Sequence, residues 1–517
     1  MSRLARVLAA AVLIVPPALA AQQGGTLSRA AATITEADVK RKIFVIADDS
    51  MKGRDTPSRG LDLTAQYVAD QFRKAGLRPG AQDGTWFQHY LIRKTRIDPT
   101  ASHLVFSLNG SRQMVDFTRD AFYREGTVPK GEVGGPSVVI GGALDPAALG
   151  KMALAGKTAI LILDYSKPRP ATVRSALDTL MARAAAVVIV TNRDTIQLAQ
   201  IVGQAGRVSV GRADPGQEES AAPVVEVHER AIGSLLTAMT MNPAMIRSDT
   251  TMVVHPAAAL QVMVNVRQQV LEEARAPNTI GILEGSDPAL KNEYLVFSAH
   301  MDHVGVAGPN GTGGCQAVGA DSICNGADDD GSGTVGVTEL AKAFSQPGAR
   351  PRRSVIFMTV SGEEKGLWGS EFFSEHPVVP LKQVVADLNI DMIGRNWQDT
   401  IVAIGKEHSD LGATLGRVNA RHPELHMTAI DDRWPEENFY FRSDHFNFAR
   451  KGVPILFFFN GVHGDYHQVS DSPDKLEADK EARILRLLFY LGEEVANGQE
   501  RPKWNPASYK RIVEGAQ

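Results

Sequence analysis

The sequence is poor in cysteine, has no block of basic residues, and has no apolar run long enough to cross a bilayer. Its 517 residues include 2 cysteines, 55 Lys and Arg, and 59 Asp and Glu, for a formal charge of −4. Without a basic block, nucleic acid and anionic membranes are unfavourable partners. The apolar run at residues 7–15 is shorter than the roughly 20 residues of a membrane-spanning helix. No membrane span is therefore expected, and the composition indicates no oligomeric state.

The two cysteines, Cys315 and Cys324, lie close together in the sequence. In an oxidising compartment they would close a small disulfide ring. Metal binding is the alternative, but their spacing matches no zinc-knuckle pattern. We therefore predict a disulfide.

The N-terminus has the pattern of a secretory signal peptide. Arg3 and Arg6 precede the apolar run, and small residues at positions 18–21 supply a cleavage site. We predict that residues 1–21 are a signal peptide and that the protein is exported to the periplasm or the extracellular space.

The length and a shift in composition indicate more than one domain. Residues 125–254 are rich in Gly, Ala and Val, and we interpret them as an inserted, smaller, β-rich α/β domain. The main domain is then formed by residues 35–124 and 255–500. A linker at 22–34 precedes it, and a C-terminal tail at 501–517 follows it.

From about Leu260 onward, apolar runs of strand length alternate with helical patterns, which is typical of an α/β fold. We predict a doubly wound, mostly parallel sheet with helices on both faces. The predicted strands are 294–299, 354–360, 384–390 and 453–459, and the predicted helices are 333–344, 366–374 and 477–496. In such a sheet, the active site lies outside the carboxyl ends of the strands.

Each of these four strands is followed by residues that can bind metals or protons. They are His300 and Asp302, then Glu363 and Glu364, then Asp391, and finally Tyr466 and His467. A single histidine or aspartate at a strand end is usually a cap or a surface group. Four such coincidences, together with three aspartates at 328–330, indicate one metal site.

The mixture of imidazoles and carboxylates suits zinc, which binds both and keeps a position for water in catalytic sites. The set contains more carboxylates than one zinc needs, which favours two ions joined by a carboxylate. In the Glu363-Glu364 pair, one residue can bind metal while its neighbour serves as a general base. Asp302 is placed to orient the ring of His300.

At these residues the sequence resembles the co-catalytic di-zinc exopeptidases of metallopeptidase family 28, which include secreted bacterial leucyl aminopeptidases. The matching motifs occur in the family's order and are AHMDHVG, NGADDDGSG, VSGEEKGLWGS, NIDMIG, RSDHFNFARKGVP and YHQVSDSPDKL. With GRDTPSRG and the helix after it, they cover most of 35–125 and 258–497. The inserted segment is similar to the protease-associated domain that some members carry.

The resemblance implies two zinc ions per chain. The implied ligands are His300 and Asp391 for one zinc, Glu364 and His467 for the other, and Asp329 as the bridge. Glu363 would be the general base and Asp302 the orienting acid. Tyr466 would stabilise the oxyanion, with a merely packed tyrosine as an equal alternative.

The implied activity is hydrolysis of the N-terminal bond of peptides by a zinc-activated water, with Glu363 as the general base. Aminopeptidase activity is favoured because the resemblance is closest to the secreted aminopeptidases. The alternatives are a carboxypeptidase or dipeptidase on the same site, a single-zinc glutaminyl cyclase, and a binding module without catalysis. The complete two-metal ligand set disfavours the cyclase, and the presence of Glu363 disfavours the binding module.

Overall fold

The computed structural model of the chain describes residues 25–166, 172–213, 221–308 and 314–515. They form two compact units, one from the residues before Leu91 together with those from Arg275 onward, the other from Leu91–Ala274. The predicted signal peptide at 1–21 lies outside the described residues. Within the described ranges, no helix has the length and apolar character needed to cross a membrane.

The strands, numbered along the chain, are β1 (Arg78–Pro79), β2 (Phe87–Ile97), β3 (His103–Leu108), β4 (Ser111–Asp116), β5 (Ala121–Glu125), β6 (Val133–Gly142), β7 (Thr158–Ile162), β8 (Ala186–Thr191), β9 (Ser209–Arg212), β10 (Val224–His228), β11 (Met252–Asn265), β12 (Gln268–Leu283), β13 (Tyr294–His300), β14 (Ser354–Val360), β15 (Val384–Ile390), β16 (Thr400–Ile404), β17 (Thr428–Ile430) and β18 (Ile455–Phe458). The α-helices are α1 (residues 25–31), α2 (Glu36–Ile46), α3 (Arg59–Lys74), α4 (Pro146–Leu149), α5 (Thr172–Met181), α6 (Thr195–Ala205), α7 (Glu229–Ala238), α8 (Pro243–Ser248), α9 (Gly333–Phe344), α10 (Trp368–Glu375), α11 (Leu411–Arg421), α12 (His445–Ala449), α13 (Ala478–Asn497) and α14 (Pro506–Tyr509).

The first unit contains the predicted α/β sheet, in the order β17–β16–β18–β15–β13–β14–β12–β2, with β1 also paired to β12. The four central strands β18, β15, β13 and β14 are parallel. Strands β12 and β16 pair antiparallel with β14 and β18. The predicted α/β fold with a mostly parallel sheet is confirmed, and the structure adds antiparallel strands on both sides.

Helices cover both faces of this sheet because successive strand residues point to opposite sides. In β13, Leu295 and Phe297 belong to a core that includes residues of α9 and α13, while Val296 belongs to a core with residues of α12. Phe297 stacks on Phe357 of β14, with ring centroids 5.7 Å apart. With both faces buried, most side chains of these strands are apolar, and polar ones inside the sheet bond to each other, as Ser298 does to Asp387 at 2.7 Å.

The second unit has its own sheet, in the order β4–β3–β11–β6–β7–β8–β10–β5. Strands β6, β7, β8 and β10 are parallel, and β3, β4, β5 and β11 pair antiparallel. This unit, Leu91–Ala274, is longer than the inserted domain predicted at 125–254. The difference arises because β3, β4 and the C-terminal half of β11 pair within the same sheet as the inserted strands.

Two terminal segments differ from the sequence interpretation. The predicted linker at 22–34 contains α1, and Ala30, Ala31 and Ile34 are buried in the core of the first unit. The predicted tail at 501–517 contains α14, and Ile512 and Val513 after it are buried. The linker and tail interpretations therefore do not hold for these residues, because their few apolar side chains pack into the first unit.

Candidate metal centre

The carboxyl ends of four parallel strands in the first unit carry the predicted site residues. His300 is the last residue of β13, Glu363 and Glu364 follow β14, Asp391 follows β15, and His467 lies in the loop after β18. Strands β14 and β15 flank β13, and β18 flanks β15. The four strand ends are therefore neighbours at one edge of the sheet.

Asp329 lies between the two predicted histidine ligands. Its Oδ1 is 3.4 Å from Nε2 of His300, and its Oδ2 is 3.2 Å from Nε2 of His467. His300 Nε2 is also 3.6 Å from Oδ1 of Asp391, and His467 Nε2 is 3.2 Å from Oε2 of Glu364. The two oxygens of Asp329 thus connect a His300–Asp391 group with a Glu364–His467 group.

The aspartates on either side of Asp329 are engaged by main-chain groups. The carboxylate of Asp330 accepts hydrogen bonds from the backbone N–H groups of His300, Gly333 and Met392. The Oδ1 atom of Asp328 accepts from the N–H of Gly394 at 2.7 Å. These carboxylates hold the loop in place, which leaves the side chain of Asp329 to face the two histidines.

Several polar atoms at this centre have no hydrogen-bond partner among the described residues. They are Asp329 Oδ2, Glu364 Oε1, Asp391 Oδ1, His467 Nε2 and both ring nitrogens of His303. In the same described ranges, the ion pairs of Asp329, Glu364 and Asp391 are all with histidines, and none is with a lysine or an arginine. Buried carboxylates without a cation are costly. The arrangement therefore fits a metal cation, and the mixture of imidazole nitrogen and carboxylate oxygen suits zinc.

The two adjacent glutamates differ in their tendency to ionise. Removal from bulk water, together with the carboxylates of Asp444 and Glu364, raises the pKa of Glu363 well above its usual range. Burial also opposes ionisation of Glu364, but contacts with His303 and His467 outweigh it and lower its pKa to about 2. Such a separation suits an ionised metal ligand beside a group that takes up and releases a proton.

Asp302 joins the N-terminal segment to the turn that carries the glutamates. Its Oδ2 accepts a hydrogen bond from Thr56 Oγ1 at 3.0 Å, and its Oδ1 accepts from the N–H of Glu363 at 3.3 Å. Thr56 Oγ1 accepts in turn from the N–H of Gly362 at 3.1 Å. The backbone carbonyl of Asp302 lies 3.1 Å from Nδ1 of His300. Asp302 therefore faces the His300 ring through its carbonyl and through its Oδ1, which lies 3.8 Å from Nδ1, while its carboxylate also fixes the glutamate turn.

Two residues to which the sequence interpretation gave no specific role hold the loop around Asp329. Arg54 is fully buried, and its guanidinium donates to the backbone carbonyls of Ile46, Met301, Asn325 and Gly326. The carboxylate of Asp471 accepts from the N–H of Asp329 at 3.1 Å. Neither role has a local sequence signal, because each depends on chain segments far apart in the sequence.

Tyr466 lies against His467, with ring centroids 3.9 Å apart. It lines a pocket together with His300, Glu363 and Asp391. Burial, and then the nearby carboxylates, raise the pKa of Tyr466, so its hydroxyl remains a proton donor at neutral pH. The rest of the pocket wall is largely apolar and includes Met392, Phe439, Phe457, Phe459 and Val462.

The predicted disulfide is present. Cys315 and Cys324 are bonded, with Cα atoms 6.5 Å apart. The pair packs with Val304 and Val469 in a small cluster. Because Val469 is two residues beyond His467, the disulfide supports the loop that carries this histidine.

Comparison with known proteins identifies relatives for the part of the chain that contains this centre. Residues 278–492 match the model of peptidase family M28. A probable leucine aminopeptidase of Arthroderma otae is 27% identical over 217 residues, which are 40% of this chain and 56% of the relative. The chain thus spans about half the length of this curated relative.

Solved structures with a similar fold include two bacterial proteins. An aminopeptidase from Aneurinibacillus sp. strain AM-1 is 17% identical, with a TM-score of 0.47, over 91% of this chain and 96% of that chain. A zinc aminopeptidase from Bacillus subtilis is 16% identical, with a TM-score of 0.44, over 94% of this chain and 99% of that chain.

Proposed function

We propose that this chain, whose residues 278–492 form a domain of peptidase family M28, is a two-zinc aminopeptidase. The family predicted from the motifs is confirmed by that match. The observation that carries the proposal is the position of Asp329, whose two carboxylate oxygens lie 3.4 Å and 3.2 Å from the nitrogens of His300 and His467. A carboxylate between two histidine–carboxylate groups has the arrangement needed to bridge two metals.

In this proposal, His300 and Asp391 hold one zinc, Glu364 and His467 hold the other, and Asp329 bridges them. The zinc ions, when bound, would polarise the carbonyl of the scissile bond and lower the pKa of a water molecule. Ser443 Oγ donates to Oδ2 of Asp391 at 3.0 Å, which leaves Oδ1 of this carboxylate to face His300.

Glu363 is the proposed general base. It lines the pocket beside His300 and Asp391, and Asp302 and Thr56 fix the turn that carries it. Burial raises its pKa, which makes its carboxylate a stronger proton acceptor for the attacking water; the acid so formed is proposed to return the proton to the leaving amine. The hydroxyl of Tyr466 is proposed to donate to the oxygen of the scissile carbonyl.

The charge of the pocket supports an aminopeptidase over a carboxypeptidase. Three of the seven polar residues that line it, Asp329, Glu363 and Asp391, are acidic, which suits the positive N-terminal amine of a peptide. Among the described residues that line it, Arg442 could bind a C-terminal carboxylate, but its guanidinium already lies 3.4 Å from the carboxylate of Glu437. The apolar wall around Phe439 and Phe459 supports peptides with an apolar first residue.

Export and the inserted domain complete the proposal. The leader-like sequence at residues 1–21 and the disulfide between Cys315 and Cys324 both support an oxidising compartment outside the cytoplasm. Mass spectrometry of the secreted or periplasmic protein would find a mature N-terminus near Ala21 if the leader is cleaved. The second unit, Leu91–Ala274, is proposed to be a protease-associated-like insertion.

The test is zinc content and peptide hydrolysis by the purified mature protein and a Glu363→Gln variant. We expect two zinc ions per chain in both proteins, because Glu363 is not a proposed ligand. We expect hydrolysis of leucine anilide by the wild type, with kcat reduced about 100- to 10,000-fold in the variant, the range for losing a general base. A Glu407→Gln variant, changed at an exposed glutamate, is the matched control and should retain full activity.

The same experiment separates the alternatives. Equal hydrolysis of peptides with blocked N-termini would favour a carboxypeptidase. One zinc per chain with cyclisation of N-terminal glutamine would favour a glutaminyl cyclase. No zinc and no turnover after metal reconstitution would leave a binding protein.

A further inference from the structure

We propose that His303 is a fourth protein ligand of the metal held by Glu364 and His467. This inference rests on the proposed two-metal function and extends its ligand set. His303 lies three residues after His300, in the loop that follows β13.

His303 directs one ring nitrogen at the second metal group. Its Nδ1 is 3.0 Å from Oε1 of Glu364 and 3.5 Å from Oδ2 of Asp329. His467 Nε2 is 3.2 Å from both of the same carboxylates. The rings of the two histidines meet edge to face, with centroids 5.5 Å apart. Four side chains thus offer one ligand atom each around a common point.

The separations between these atoms match a four-coordinate zinc. Zinc binds nitrogen and oxygen at about 2.0–2.1 Å, so two ligands at the tetrahedral angle lie about 3.3–3.4 Å apart. The four contacts between a histidine nitrogen and a carboxylate oxygen range from 3.0 Å to 3.5 Å, with Glu364 facing His303 through Oε1 and His467 through Oε2. These nitrogen–oxygen separations are of the size found between ligands of one zinc.

A purely structural role does not account for His303. Its side chain is fully buried, yet neither ring nitrogen has a hydrogen-bond partner among the described residues. Buried polar atoms in proteins are nearly always paired. His445, which is equally buried, bonds through Nε2 to the carbonyl of Tyr440 at 2.8 Å. Gly326 leaves space for the His303 ring, because a Cβ there would lie 2.4 Å from its Cγ.

The consequence is a difference between the two metals. With His303, Glu364, His467 and Asp329, one metal has four protein ligands, which is the pattern of a closed site. The other has His300, Asp391 and the shared Asp329, which leaves a position open. In the part of the chain that the structure describes, His300, Asp329 and Asp391 line the substrate pocket, whereas His303, Glu364 and His467 do not.

The test compares His303→Asn with His303→Ala in the full mature protein, after removal of metal. The amide nitrogen of asparagine can occupy the position of Nδ1 and donate to Glu364, but it is a poor zinc ligand. Alanine removes both capacities. Co²⁺ is added while calorimetry measures the affinity of each site and visible absorption reports the four-coordinate environment.

We expect the wild type to bind two Co²⁺ ions and both variants to retain one of them at nearly unchanged affinity. For the other ion, affinity should fall more than about 100-fold in both variants, beyond the 10- to 100-fold typical of losing an outer partner of a ligand. The intense absorption of tetrahedral Co²⁺ should disappear with it. The control is His422→Asn, which changes a histidine that is stacked on Tyr490 and is not among the proposed ligands. It should change neither the affinity nor the absorption.

Wild-type affinity and spectrum in His303→Asn, with a 10- to 100-fold loss in His303→Ala, would overturn the inference, because His303 would then act only as a donor to Glu364. Two tightly bound ions in both variants would also overturn it and leave the proposed function intact. Fewer than two ions in the wild type would overturn the two-metal function and the inference together. Circular dichroism of each variant checks that it is folded.

Discussion

The two units of this chain both bury acidic side chains in or beside a parallel sheet, but they neutralise them differently. In the second unit, Glu226 of β10 is fully buried between two arginines. Its Oε2 is 3.2 Å from Nη1 of Arg124, and its Oε1 is 2.7 Å from Nε of Arg193. The hydroxyl of Tyr165 donates a further hydrogen bond at 3.1 Å. This acid has all the partners it needs within the protein.

In the described part of the first unit, the acids of the metal centre make no ion pair with an arginine. Asp329, Glu364 and Asp391 form their ion pairs with histidines, and despite burial the neighbouring carboxylates raise the pKa of His300 and raise that of His467 to about 10. The difference teaches that a buried acid alone does not mark a metal site. What distinguishes the first unit is that its acids face each other and imidazoles. The buried Arg54 acts on Asp329 through its charge but donates its hydrogen bonds to main-chain carbonyls.

A large change in the stability of the second unit alone is expected when the charge of Glu226 is removed. In Glu226→Gln, the two arginines would lose their buried partner, and we expect the second unit to lose roughly 3–4 kcal/mol of unfolding free energy. Zinc content and leucine anilide hydrolysis should stay at wild-type levels. Urea unfolding of the full chain measures the loss. Asp178→Asn, at an exposed ion pair with Arg174, is the control and should cost less than about 1 kcal/mol. A loss of zinc in Glu226→Gln would show that the acids of the two units are not independent.

Removal of metal should lower the stability of the first unit and leave that of the second unit unchanged. A ligand that binds only the folded state stabilises it by about 2.7 kcal/mol at a hundredfold excess over its dissociation constant. A strong chelator should therefore lower the unfolding temperature of the first unit and leave the second unchanged. Calorimetry with and without chelator, combined with mass spectrometry of protease-resistant fragments, assigns each transition to a unit. An equal shift of both transitions would contradict the assignment of metal to the first unit alone.

The sequence predicted those parts of the fold and site that follow from short local patterns. Strands β14 and β15 were predicted to the residue, because each is a mainly apolar run that ends at a polar residue. The side chains after them include the predicted Glu363, Glu364 and Asp391. The sequence predicted the structure less well where a segment is held by contacts with residues far away in the chain. Helix α1 has few apolar residues of its own, and only their burial in the core of the first unit explains its structure.

The residues that hold the site in place show the same limit of prediction from sequence. Thr56 lies in a turn rich in charged and small residues, and nothing in that turn indicates a contact with Asp302, 246 positions away. His303 has the residue type of a ligand, but only its burial and its distance to Glu364 distinguish it from a surface histidine. A sequence pattern gives the candidates, and the tertiary contacts decide among them.

The contact of Thr56 predicts a smaller, purely kinetic effect in the first unit. Thr56→Val keeps the shape of the side chain but removes the hydroxyl that joins Asp302 to Gly362. We expect kcat for leucine anilide to fall about 10- to 100-fold, as for loss of an outer contact of a metal site, with KM nearly unchanged and two zinc ions retained.

Thr56→Ser restores the hydroxyl and should restore most of kcat. The matched control is Thr64→Val, which removes a buried threonine hydroxyl bonded only to a carbonyl of its own helix and should leave kcat unchanged. Equal losses in the serine and valine variants would show that packing, and not the hydrogen bonds, explains the effect of Thr56.

An effect that develops gradually with pH concerns a buried acid of the first unit that lies outside the site. Burial raises the pKa of Glu493 to about 8, against an ordinary value of 4.5, although Asn497 donates a hydrogen bond to it. Between these two pH values the folded protein holds a proton that the unfolded chain has lost. Stability should therefore fall as pH rises from 4.5 to 8, by roughly 1 kcal/mol for each pH unit.

Glu493→Gln, which is neutral at every pH, should match the wild type near pH 4.5 and exceed it increasingly up to pH 8. Urea unfolding across this range measures the difference, with Glu494→Gln, at an exposed neighbour paired with Arg421, as the control. If the two variants follow the same pH dependence, Glu493 is ionised without cost, and the first unit tolerates an unpaired buried acid even where no metal is proposed.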